Sequence, residues 1–225
     1  MMIQTSELFK TLSRDPNRTY EHRATVAGVE YGNADITSLS ISRAAYESFS
    51  IGNCCSATLN LTFYPTQSPP RMAQIVVDTR IRVGEQVTEY VPRGTFFVNT
   101  RSEDGDLLSV EAFDAMPKAE AVYFGTGSWT DKTMQAVAAE IAQRMGISLD
   151  PRTQINPAYM VRYPGDYTMR EVLSYIAAAH GGNWIVTAEN QLYLLPMFSA
   201  PAETDYIVDE WGDVLVLGGL RLKWR

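Results

Sequence analysis

Cysteine is nearly missing from this chain, and the two that occur, Cys54 and Cys55, are neighbours. A disulfide between adjacent residues strains the peptide that links them, so no disulfide framework is expected and both thiols read as reduced. Strand alternation would then place one of the pair in the core and the other outside. Histidine is equally scarce: His22 and His180 stand far apart, too few ligands for a zinc site. Positive charge is short as well. A formal net charge of −7 argues against non-specific nucleic-acid binding, because phosphate neutralisation needs a basic surface. No apolar run reaches the roughly 18 residues of a membrane span. The opening residues, Met1 to Lys10, lack the basic start and apolar stretch of a secretion signal. Neither a membrane span nor entry into the secretory pathway is expected.

Catalytic signatures are absent too. The sequence has no G-x-S-x-G, no H-E-x-x-H, no phosphate-binding G-x-x-x-x-G-K-[ST] and no G-x-G-x-x-G opening a helix. Gly125-Thr126-Gly127 reads as a flexible turn in a linker. Asp104 and Asp106 flank Gly105 in a run far shorter than a calcium loop, and a solvated hairpin tip is the better reading. His180, at a helix C-terminus, has no nucleophile or carboxylate pattern beside it and reads as a capping or packing residue. The sequence therefore assigns no catalytic, cofactor-binding or metal-binding residue and implies no cofactor.

What is present is ample material for a core: 225 residues, 45% apolar and 11% aromatic. Residues 1–17 read as a polar lead-in ending in the turn chemistry of Asp15-Pro16-Asn17, with structure starting at Arg18. From there alternation dominates. Tyr20, His22, Ala24 and Val26 set one strand, broken or bulged at Gly28. Ile36 to Ile41 set a second, and Arg43 to Ser50 is ambiguous. Ala57, Leu59, Leu61 and Phe63 give the clearest alternation; Ile75, Val77, Thr79, Ile81 and Val83 follow after Ser68-Pro69-Pro70. Glu103 to Asp106 is a hairpin turn between Thr95–Thr100 and Leu108–Ala112. About six short strands over residues 18–114 predict an antiparallel barrel or sandwich.

Composition shifts near residue 120. From Asp131, read as an N-cap, Met134, Val137, Ala138, Ile141, Ala142 and Met145 recur at helical spacing up to Gly146. A turn-rich stretch and a strand around Met160 to Tyr163 follow. Thr168 and Glu171 then form a capping box, and Val172, Leu173, Ile176, Ala177 and His180 line one face of a helix ended by Gly181-Gly182. Asn183–Thr187 and Gln191–Leu195, separated by Ala188-Glu189-Asn190, read as a hairpin. The fold class is thus mainly β with an α+β portion: a barrel-like or sandwich domain over residues 18–120, a domain of two helices and a hairpin over residues 121–200, and C-terminal strands over residues 201–225.

These blocks resemble a known family. Ser128 to Ile147, followed by Asp166 to Pro196, looks like the second domain of phage tail hub proteins. There a helix ending in G-[IV] precedes a T-x-x-[ED]-x-L-x-x-[IL]-A helix, a G-G pair and a hairpin that often ends in proline. Ile51 to Phe63, Pro92 to Arg101 and Val110 to Glu120 are similar to the first barrel domain of prophage baseplate hub or minor tail proteins. The resemblance implies trimeric rings of two tube-like barrels per chain, adapting a sixfold tail tube to a threefold tip. A second complete barrel is hard to fit after residue 120, although strands from Tyr206 onward could begin one.

The resulting expectation is a non-enzymatic structural protein of a prophage tail or baseplate. It would self-associate as a trimer, contact other tail proteins, bind no specific nucleic acid, and reside in the virion tail after synthesis in the host cytoplasm. Tyr46, Phe49, Tyr90, Phe97 and Trp129 are candidate contact aromatics. The alternative is a peptidoglycan- or carbohydrate-binding module in which Trp184 and Tyr193 stack sugars; a tail-associated hydrolase fragment ranks last.

Overall fold

Strand alternation is realised almost residue by residue. A computed structural model describes residues 5–45, 50–124 and 128–197, together with the backbone of 216–217 and 220–221. The lead-in contains a helix, α1 (Glu7–Leu12), where only a polar approach was expected. Six residues are too few to hold a helix alone. Here the Ser6 side chain caps Phe9 N–H, Glu89 accepts from both Ser6 N–H and Oγ at 2.8 Å, and Leu12 is buried.

Eight strands follow: β1 (Thr19–Val26), β2 (Val29–Tyr31), β3 (Ile36–Ser42), β4 (Thr58–Phe63), β5 (Gln74–Val83), β6 (Gln86–Val87), β7 (Val91–Asp104) and β8 (Leu107–Phe113). They form one antiparallel sheet in the order β2-β1-β5-β7-β8-β4-β3, with β6 beside β5. Gly28 breaks the strand, the first of the two expected outcomes: with Ala27, also at positive φ, it makes the two-residue turn between β1 and β2. Barrel and sandwich were both open from sequence. The sheet is sandwich-like and does not close, since the end strands β2 and β3 share no ladder among the described residues. It curls enough for Tyr31 on β2 to pack edge-on against Phe63 on β4, ring centroids 4.8 Å apart. The inner face carries Ala24, Val26, Leu59, Leu61, Phe63, Ile75, Val77, Phe96, Val98, Leu108 and Val110 in one cluster. Each fully buried aliphatic or aromatic side chain there contributes about 1.5–3 kcal/mol.

The opposite face of β1 and β5 is an ion ladder. Glu21 lies directly across from Arg80, and Arg23 from Asp78. Glu21 accepts from Arg82 at 2.5 Å and Arg80 at 2.6 Å, and these bonds hold its carboxyl below the usual range. Opposite β5, the ladder skips a residue between Val77 and Asp78, a bulge on β7 at Pro92–Gly94. Gly94 takes φ +143° there, and an added Cβ would strike the Phe96 ring.

After a 3-10 turn (Met116–Glu120) the second region begins: β9 (Lys132–Thr133), α2 (Met134–Arg144), β10 (Ser148–Leu149), β11 (Met160–Val161), α3 (Met169–Ala179), β12 (Gly182–Val186) and β13 (Gln191–Pro196). The N-cap of α2 is Thr133, not Asp131: pairing of Lys132 and Thr133 with β11 keeps the backbone extended until that point. Asp131 instead accepts from Arg162 at 2.5 Å. The expected strand at Met160 to Tyr163 shrinks to β11 for the same reason, because its partner is only two residues long. In α3 the capping box forms as read, and Gly181 ends the helix at φ +63°. Gly182 opens β12 so close to β13 that a Cβ would sit 2.8 Å from the Leu195 carbonyl oxygen. Both helices bury the predicted faces around Trp184 in a second cluster, which also takes in Cys54 from far upstream.

Of the C-terminal strands expected over residues 201–225, the described backbone shows β14 (Val216–Leu217) paired antiparallel with β15 (Leu220–Arg221). The remainder of that expectation lies outside the described residues.

Candidate functional site

The segment Gly52 to Ala57 joins the two regions and fixes what lies between them. It runs parallel to β12: Trp184 N–H donates to the Asn53 carbonyl at 2.8 Å and Cys55 N–H to the Trp184 carbonyl at 2.9 Å. Both cysteines are consequently buried, which corrects the expectation that one would face solvent. Their side chains do point to opposite sides, but both sides are covered. Cys54 belongs to the helical core, and Cys55 faces a cleft shared with Ala57, Ile185 and Val186.

Two buried polar groups pin this seam. Asn183, with no exposed surface, accepts from Asn53 N–H through Oδ1 and donates through Nδ2 to the carbonyls of Ala45 and Ser50. Asp114 accepts from Ala57 N–H at 2.7 Å, Met116 N–H at 2.9 Å and Ser56 Oγ at 2.9 Å. Burial raises its pKa despite these bonds and the nearby Arg43 guanidinium. Beside the seam lies a polar cleft of about 500 Å³ lined by Asn53, Glu120, Thr168, Arg170, Glu171 and Ser174. Its groups serve one another: Ser174 Oγ donates to the Gly52 carbonyl at 2.6 Å, Arg170 bonds Glu120 and the Cys54 carbonyl, and Glu171 completes the capping box. These bonds tie α3 and the 3-10 turn to the Gly52–Ala57 segment, so the arrangement holds two regions together.

The individual candidates fall into place around this frame. The His180 ring accepts from Asn156 N–H through Nε2 at 2.9 Å, while Nδ1 lies 2.8 Å from the Ile176 carbonyl. A proton on Nδ1 and a bare Nε2 satisfy both contacts, so the ring ties the end of α3 to the preceding loop. Asp104 and Asp106 sit at the exposed β7–β8 hairpin tip. Among the described residues no three His, Cys, Asp or Glu side chains cluster as metal ligands would. Glu140 gathers Lys132, Tyr123 and Arg144; against the penalty of burial, the bonds from Lys132 and Tyr123 hold its carboxyl below the usual range.

Of the aromatic candidates, Trp184 is corrected. Trp184 has no exposed surface and donates its indole N–H to the Leu173 carbonyl at 2.7 Å, so it cannot stack a sugar. Tyr193 is half-buried, with the Arg152 guanidinium over its ring. Tyr90 is gripped between Arg23 and Arg80, at 4.2 and 4.6 Å from its centroid, and Phe97 lies under Lys118 at 3.5 Å. Trp129 is half-buried and bonds the Val161 carbonyl. Tyr46 and Phe49 lie outside the described residues. Among the described residues the exposed tyrosines are Tyr20 and Tyr64 in the sheet region and Tyr159, Tyr163, Tyr167 and Tyr175 around α3, with Tyr167 and Tyr175 packed edge to face at 5.3 Å. One sequence signal pointed there: Tyr175 falls on the side of α3 opposite its apolar face.

With this geometry in hand, comparison with known proteins bears on the fold. The 43 kDa tail protein of prophage MuSo2 from Shewanella oneidensis superposes with a TM-score of 0.54 at 14% identity, over 87% of this chain and 60% of that one. The chain has the fold of a prophage tail protein. The tail protein from Neisseria meningitidis MC58 gives a TM-score of 0.49 at 12% identity, over 87% of this chain and 53% of the other. Prophage tail protein gp18 from Listeria monocytogenes EGD-e gives 0.45 at 13%, over 84% and 55%. This chain therefore spans between half and two thirds of the length of each. No protein-family model and no curated protein matches its sequence.

Proposed function

We propose that this chain is a non-enzymatic structural component of a prophage tail, acting as a hub-like assembly protein between the tail tube and the tail tip. The observation that carries the reading is the fold shared with the MuSo2 tail protein over 87% of the chain. The seam supports it: its buried polar groups are spent on joining two regions, as suits a part that transmits load and turns nothing over. We further propose that residues 18–120 and 121–200 act as two units joined at that seam. The working state would be a multimer, a trimer on the hub reading, in contact with other tail and baseplate proteins, in the virion tail after synthesis in the host cytoplasm. The acidic balance supports a role beside DNA without gripping it.

The test is mass spectrometry of tail particles purified from the bacterium that encodes the chain. Recovery in the particle at a fixed ratio to the other tail proteins is the expected result. Recovery only as free protein, with pull-down on cell wall, would replace this reading with the binding module.

A further inference from the structure

An amine and an amide that the fold leaves unpaired among the described residues meet in one small cleft. The amine is Lys118, in the 3-10 turn. Lys10 pairs with Glu7 and Lys132 with Glu140, each at 2.6 Å, whereas Lys118 has neither ion pair nor hydrogen bond among the described residues. Its Nζ lies 3.5 Å from the centroid of the Phe97 ring. On the other side a Cβ added at Gly146 would come to 3.9 Å from Nζ, so the amine is enclosed between the sheet and the end of α2. A cation drawn from water without a counter-ion gives up its proton more readily, and burial lowers the Lys118 pKa accordingly.

The cleft holds about 170 Å³. Phe97, Phe113 and Met72 wall it, and Asn99, Asp114 and Lys118 are its polar side chains. Asn99 is placed by a bulge: Val98 pairs with Ala112 and Thr100 with Glu111, so Asn99 has no residue opposite it on β8. Its half-buried carboxamide makes no hydrogen bond among the described residues. Asp114 is the third group. Its Oδ2 accepts from Ala57 N–H and keeps a lone pair for a proton, and the raised pKa of this carboxyl favours the acid form. A neutral amine, a carboxamide and a carboxylic acid in an apolar setting are the components of an amide exchange: nucleophile, electrophile and proton carrier.

We propose that Lys118 and Asn99 join in an intramolecular isopeptide bond, with Asp114 carrying the proton. The Nζ lone pair attacks Asn99 Cγ; the new C–N bond forms and the bond from Cγ to Nδ2 breaks. One proton passes from Nζ through Asp114 to the leaving nitrogen, which departs as ammonia. The step balances with no added reactant: an amine and a carboxamide give a secondary amide and ammonia. The bond ties β7 to the turn that leads into the helical region and closes residues 99–118 into a covalent loop. It stands apart from the tail reading, since a chain that never enters a tail particle can still form it.

Intact-mass spectrometry of the full chain, followed for several days at neutral pH, tests the bond, with thermal melts confirming that each variant folds. The expected result is a mass below that of the sequence by one ammonia. Trypsin should then fail to cut after Lys118, and residues 94–101 should be recovered joined to residues 102–132. Lys118→Arg and Asn99→Ala should each keep their full sequence mass. Asp114→Asn should slow the loss of ammonia about 100-fold, the scale of a missing proton carrier. A folded wild type that keeps its full mass and is cut normally after Lys118 overturns the bond, as does an ammonia loss that persists in Lys118→Arg. A wild-type rate in Asp114→Asn overturns the part given to that carboxyl.

Discussion

The curled sheet draws its core from strands that can each be read alone, whereas the helical region borrows Cys54 from the connection between β3 and β4 and centres itself on Trp184 at the start of a hairpin. In the first, every second residue faces inward, and the pattern survives whatever the neighbours do. In the second, burial depends on where the Gly52–Ala57 segment is laid. The difference teaches that the two cores are joined by backbone bonds and two buried polar side chains as well as by apolar contact, Phe97 on β7 packing against the helical cluster.

The sharpest way to break the comparison is Trp184→Ala. Losing a fully buried indole, its cavity and its bond to Leu173 should cost about 3–5 kcal/mol. In a denaturant titration followed by circular dichroism, the helical signal should be lost at lower denaturant while the sheet signal moves less; equal shifts would mean that the two regions unfold as one.

Asn183→Ala acts on the seam itself. It strands the Asn53 N–H and takes donors from the Ala45 and Ser50 carbonyls, a loss of about 1–3 kcal/mol. The wild type should unfold in one transition and the variant in two, seen by calorimetry. A single, merely lower transition would count against two units coupled at this point.

Asp114→Asn removes a carboxylate oxygen from Ala57 N–H and sets an amide donor against it, again about 1–3 kcal/mol. The pH dependence gives the sign. Burial holds the folded-state pKa of Asp114 above its unfolded value, so its ionised form costs stability at neutral pH, and that cost is relieved as pH falls through the raised value. The stability gap between wild type and variant should therefore widen from neutral to mildly acidic pH in paired unfolding curves. A narrowing gap would show that the three accepted bonds outweigh burial. Glu140 works in the opposite sense: held low, it contributes above the usual carboxylate range and loses that contribution as pH falls through its folded value.

The smallest effect is expected from Thr168→Ala, about 1 kcal/mol, as α3 loses its capping box. Faster amide exchange confined to the first turn of α3 would confirm it; an unchanged pattern would show that packing alone fixes that helix end.

Much of this was legible in particular residues. Leu59, Leu61 and Phe63, and Ile75, Val77 and Ile81, announced buried faces by period two, and Thr168 with Glu171 announced the start of α3. Helix α1 was missed because its stability comes from Glu89 and a buried Leu12. The start of α2 was misplaced because the pairing of Lys132–Thr133 with β11 is a long-range event. Trp184 fits a sugar platform only on the alternative reading, because an indole in the first strand of a hairpin carries no local mark of depth.

By itself the sequence determined what depends on neighbours along the chain: which faces of strands and helices are apolar, where the β7–β8 hairpin turns, where α3 begins and ends. Side-chain period and capping chemistry act within a few residues, and no partner is needed to express them. Only the tertiary structure decided that both cysteines are covered, that the sheet curls without closing, that Asn183 and Asp114 hold the seam, and that four exposed tyrosines gather around α3. Each of those outcomes depends on which distant backbone lies alongside, a long-range geometry that composition and periodicity do not encode position by position.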